Sequence, residues 1–117
     1  MKENLLVDLS RRFAVDIIKL YDSIRKTKKY TVIINQLIRC GTSIGANIHE
    51  GNFAASRADF INKFQIALKE CYETEYWLNI MKDASIIDEG IYNEYFAKCS
   101  KIRKLLSASL KTAKDNV

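Results

Sequence analysis

The sequence predicts an all-α fold, an antiparallel up-down-up-down four-helix bundle. Three observations carry this. Proline is absent and only four glycines occur in 117 residues, so residues that break helices or make tight turns are scarce. Apolar residues make up 48% of the chain and recur at three- and four-residue intervals through four long segments, the repeat that gathers them on one side of an α-helix. Short polar stretches separate the segments, which suits helices running antiparallel to their neighbours. The length predicts one domain, residues 1–117.

The first segment, Asn4 to Lys26, puts Leu5, Leu6, Leu9, Phe13, Ile17, Leu20 and Ile24 on one stripe, with Arg11, Lys19, Asp22 and Lys26 on the other side. Lys26–Tyr30 is too charged to bury and reads as a connector. The second segment, Thr31 to Gly51, has a core face of Ile33, Ile34, Leu37, Gly41, Ile44 and Ile48. Gly51 is expected to end it in a left-handed conformation, which glycine adopts without a side-chain clash. After the loop Asn52–Ala55, Ser56 is the expected N-cap of the third helix, with Asp59 three residues on.

The third segment, Arg57 to Asp83, carries Phe60, Phe64, Ala67, Leu68, Cys71 and Leu78 on its main stripe. A second apolar set, Ile66, Trp77 and Ile80, with Tyr76 beside it, points almost the opposite way. A helix apolar on two sides needs two partners, and Trp and Tyr favour protein interfaces. Ile66, Trp77 and Ile80 are therefore the expected contact between copies of a homo-oligomer. After the turn Ala84–Gly90, with Asp88 as cap, the fourth segment runs from Glu89 to Ala113 and faces Ile91, Tyr95, Cys99, Ile102 and Leu106 inward.

Net charge is +5 and unevenly spread. Arg11, Arg12, Lys19, Arg25, Lys26, Lys28 and Lys29 crowd the first thirty residues, and Lys98, Lys101, Arg103, Lys104, Lys111 and Lys114 form a run without an acid. Such an excess suits RNA or DNA, and the expected nucleic-acid contacts are Arg11, Arg12, Lys19, Arg25, Lys26, Lys28, Lys29, Lys98, Lys101 and Lys104. A solvated surface that aids solubility accounts for the charge equally well. Cys40, Cys71 and Cys99 lack the spacing of metal ligands or a CxxC pair and read as reduced core thiols. The first residues lack the apolar region of a signal peptide, and no apolar stretch could span a bilayer. A cytoplasmic location without a membrane partner is expected.

The stretch SIGANIHEG, Ser43 to Gly51, invites three chemical readings. A zinc HExxH motif would need histidine at position 53, which is Phe53. A phosphate loop would need GxxxxGK, whereas Gly41 and Gly45 are too close and Ala46 stands where lysine belongs. Nucleophilic chemistry would need a base near Ser43, and His49 lies about 120° around the helix from it. An enzyme would instead need a pocket holding Glu50 or Glu73 with a raised pKa. The structural reading fits best, with no catalytic residue, metal or cofactor. Gln36, Arg39, Ser43, Asn47 and Glu50 form one polar line beside the apolar stripe, the glycines allow close helix approach, and Arg57 is the expected partner of Glu50.

The run RCGTSIGANIHEGNFAASRADFINKFQIAL, Arg39 to Leu68, resembles the helix-loop-helix signature of the bacterial four-helix bundle family of ribosomal RNA intervening sequences. Ser43, Asn47, Ile48, Glu50, Gly51, Arg57 and Phe60 match that signature, and Glu73 looks like the glutamate that follows in the third helix. His49 stands where a small residue is usual, and Phe53–Ala55 lacks an arginine often found in the loop. The resemblance implies a non-enzymatic bundle that assembles as a pentameric ring. It also implies kinship with accessory variability proteins of diversity-generating retroelements, which bind nucleic acid and work with a reverse transcriptase. The alternative is a structural protein–protein interaction module without nucleic-acid binding.

Overall fold

Four helices follow one another in the computed structural model, which describes residues 2–115: α1 (Lys2–Arg25), α2 (Thr31–Asn52), α3 (Arg57–Asp83) and α4 (Glu89–Asp115). Each packs against the next, and α1 also meets α4, so the helices form a closed square whose diagonal backbones stay apart. The body measures 49 × 22 × 19 Å. This is the expected up-down-up-down bundle. The core runs through its centre, with Leu6, Phe13 and Ile17 of α1, Leu37, Ile44 and Ile48 of α2, Phe64 and Leu78 of α3, and Ile102 and Leu106 of α4 all fully buried. Leu5, expected inward, is exposed.

The caps of α3 and α4 form as their sequences dictate. Ser56 accepts a hydrogen bond from the Asp59 backbone N–H at 3.1 Å, and Asp88 accepts one from Ile91 at 2.8 Å. The turns supply the surprise. With no glycine available, Lys28 and Tyr30 before α2 and Ser85 before α4 adopt left-handed backbone angles near φ +60°, a conformation that costs a residue with a Cβ about 1–2 kcal/mol.

Gly51 does not end α2. It lies inside the helix, which runs on to Asn52, and no glycine among the described residues has positive φ. Its role is steric, because a Cβ there would stand 2.7 Å from Cδ1 of the buried Phe64. Gly45 does the same for α1, whose Ser10 carbonyl oxygen would be 3.2 Å from an added Cβ.

Candidate nucleic-acid surface and the α2–α3 seam

The polar line of α2 lies along the outer seam between α2 and α3. Arg39 reaches across it to Glu73, and Glu73 Oε2 also accepts the indole N–H of Trp77 at 3.3 Å. Glu70 shares the same arginine less well. Its Oε2 is buried without a hydrogen-bond partner, 3.5 Å from Arg39 Nη1. Burial raises the Glu70 pKa above the usual carboxylate value, outweighing the attraction of Arg39. Lys69, exposed one residue before Glu70, adds a second cation beside the two carboxylates and also draws the Glu70 pKa down.

Ser43 and Asn47 turn back on their own helix instead of bridging to α3. Ser43 Oγ donates to the Arg39 carbonyl at 2.7 Å, and Asn47 Nδ2 donates to the Ser43 carbonyl at 2.9 Å. Glu50 pairs with Lys63 at 3.2 Å and not with Arg57. The reason is register: Lys63 is two turns into α3, on the flank facing α2. Arg57, in the first turn, donates from Nε to the Ala113 carbonyl at 3.1 Å, supplying a donor to the end of α4, where carbonyls lack helical partners. Phe60 is half-buried and stacks on Phe64 with ring centres 4.2 Å apart.

Ile66, Trp77 and Ile80 share the α2-facing flank of α3. Trp77 is half-buried and packs against the subunit's own core, so it is less free than its position on the helical wheel suggests; Ile66 and Ile80 are also half-buried. The larger exposed aromatics of α3 are Tyr72 and Tyr76. Around the corner of α2, a groove of about 390 Å³ lies between α1 and α2, floored by Ala14, Gly45 and Ala46 and edged by Val7, Arg11 and His49.

The basic residues divide into two kinds. Arg12 pairs with Asp8, Arg25 and Lys26 share Asp22, and Lys98 is held between Asp16 and Glu94 at 2.9 Å from each. These charges are largely spent inside the molecule. Arg11, Lys19, Lys28, Lys29, Lys101 and Lys104 are exposed, and none makes an ion pair among the described residues. Lys111 joins them, at a spacing that puts Lys101, Lys104 and Lys111 along one side of α4. Lys28 and Lys29 sit at the α1–α2 turn, while Lys101 to Lys111 run toward the opposite end of the bundle. The two clusters do not converge on one face.

Sequence reasoning missed the pair that locks α3 to α4. Glu75 is buried, and its Oε2 accepts from Arg103 Nε at 2.8 Å and Ser100 Oγ at 3.0 Å. The Arg103 guanidinium lies 5.4 Å from the Tyr72 ring centre. Glu75 has no role in the sequence reading, which counts Arg103 only among the basic residues of the fourth segment; the phasing of Glu75 beside Cys71 and Leu78 is the one signal that could have found the pair. The three thiols are fully buried, and burial pushes Cys40 up to about 11. Among the described residues no group of three His, Cys, Asp or Glu could hold a metal ion, and no helix is long and apolar enough to cross a membrane.

Four long antiparallel helices with an ion-paired seam define an all-α helical-bundle protein. The family model described as 23S rRNA-intervening sequence protein matches residues 2–108, and the chain belongs to that family. A crystal structure of a protein with unknown function from the S23 ribosomal protein family of Bacteroides thetaiotaomicron is similar to it throughout. Identity is 46%, with a TM-score of 0.93 over 95% of this chain and 99% of that one. No curated protein matches.

Proposed function

We propose that the protein is a non-enzymatic cytoplasmic homo-oligomer, pentameric by its family resemblance, that binds RNA or DNA electrostatically. The observation that supports this reading best is the row Lys101, Lys104 and Lys111, exposed on α4 with no carboxylate neutralising it among the described residues. One subunit carries +5; five copies would carry about +25, a field that raises the local concentration of polyanions. Phosphates rather than bases supply the affinity in such binding.

Anisotropy of labelled single-stranded RNA and DNA, titrated with protein across a salt series, tests this. Affinity is expected to fall linearly on logarithmic axes, with a slope of about −0.7 per phosphate neutralised. The Lys101→Glu/Lys104→Glu variant should flatten that slope and weaken binding to every sequence alike. Binding indifferent to salt, or absent, refutes the reading. The exposed Tyr72 and Tyr76 favour a second one, an interaction module for another protein such as a reverse transcriptase. Its mark would be a protein partner retained through nuclease and high salt.

A further inference from the structure

The outer face shared by α3 and α4 combines exposed rings with exposed cations. On α3, Lys69, Tyr72 and Tyr76 fall at i, i+3 and i+7 and so share one stripe. On α4, Ser100, Lys104, Ser107 and Lys111 form the neighbouring stripe. The two meet where Arg103 lies against Tyr72 and Ser100 bonds Glu75, and farther along where Gln65 and Leu68 border Ser107 and Lys111. Tyr72 and Tyr76 are 54% and 55% exposed. Among the described residues the carboxylate set between these stripes is Glu75, which Arg103 and Ser100 take up. Lys69 is offset by Glu70 beside it. Lys104 and Lys111 are exposed and make no ion pair among the described residues, so the surplus charge of the face comes from α4. Asp83 and Asp115 lie beyond its two ends, in the last turns of their helices.

We infer that this face takes a single strand of nucleic acid, with two neighbouring bases laid on Tyr72 and Tyr76 and adjoining phosphates drawn to Lys104 and Lys111. The tyrosines stand one turn apart, about 6 Å along the axis, whereas stacked bases in a duplex are about 3.4 Å apart. The bases must therefore be splayed, which a single strand allows and a duplex resists. Stacking uses the base planes and not their edges, so it adds affinity without choosing a sequence. A protein partner could use the same rings, but unneutralised lysines beside them suit a polyanion better. This rests on the nucleic-acid binding proposed above and specifies its face and the strand state it takes.

Anisotropy is read on a labelled single strand, on the same strand in duplex, and on an abasic strand of equal length. Wild type should bind the natural single strand at least about tenfold more tightly than the abasic one, and more tightly than the duplex. Tyr72→Leu/Tyr76→Leu should lose both preferences while its salt slope stays at the wild-type value. Tyr72→Phe/Tyr76→Phe, which keeps the rings, should retain them. Lys104→Gln/Lys111→Gln should flatten the slope and keep the preference for bases. A wild type that binds abasic and natural strands equally overturns the stacking and leaves electrostatic binding standing. That comparison needs no variant, so it holds even where the leucine variant folds poorly. Loss of a protein partner by the leucine variant, at unchanged affinity for the strand, gives the face to a protein and overturns the inference as well. Absence of binding to any strand overturns both readings.

Discussion

Glu75→Ala should be among the most damaging single changes in the molecule. Glu75 is buried, and its Oε2 takes two hydrogen bonds from α4, one charge-assisted at 2.8 Å from Arg103 and one at 3.0 Å from Ser100. A charged hydrogen bond contributes about 1.5–3 kcal/mol and a neutral one about 1 kcal/mol. Removal also strands the Arg103 guanidinium, whose side chain is 22% exposed, so water repays part of the loss. The expected cost is about 3 kcal/mol, or roughly 12 °C in Tm for a domain of this size. Replacing both partners by apolar groups, Glu75→Leu/Arg103→Met, should recover stability to within about 1 kcal/mol of wild type, since no buried charge is then left unpaired. Urea unfolding by circular dichroism, at one protomer concentration, measures the cycle. A Glu75→Ala loss below about 1 kcal/mol, or a double variant that loses the sum of its singles, refutes the reasoning.

Gly51→Ala gains about 1 kcal/mol of helix propensity but drives a methyl to within 2.7 Å of Phe64 Cδ1; overpacking costs about 1–3 kcal/mol, so urea unfolding should show a net loss near 1 kcal/mol, and a gain would mean the ring yields. Glu70→Gln addresses pH. Because the folded-state pKa of Glu70 is raised above 4.5 by burial, the folded protein binds this proton at higher pH than the unfolded chain, and wild-type stability grows as pH falls through that window. The glutamine variant should therefore be more stable than wild type at pH 7, with an advantage that shrinks toward pH 4.5; a wild type that is the more stable at pH 7 would mean the Arg39 attraction outweighs burial.

Helix periodicity and capping chemistry were enough to place the first residues of α2, α3 and α4 at Thr31, Arg57 and Glu89, where the structure has them. Those signals are local: an apolar repeat and a side-chain oxygen next to a bare N–H. Partner choice across helices is not local, which is why Arg57 was matched to Glu50 when Lys63 stood in register. Gly51 misled for a related reason. A glycine at the close of an apolar run looks the same whether it serves a left-handed turn or clears room for a ring on the neighbouring helix. The left-handed Lys28, Tyr30 and Ser85 left no sequence trace, because the short connectors and not residue preference impose them. The ion pairs that occupy Arg12, Lys26 and Lys98 were readable from carboxylates four residues earlier, at Asp8, Asp22 and Glu94.

The sealed position of all three sulfurs has a practical corollary. Thiol reagents meet only what lies on the outside, so one cysteine introduced on the surface would be the sole handle for a dye or spin label in the native protein. Distances between identical subunits could then be read by energy transfer without first replacing Cys40, Cys71 or Cys99.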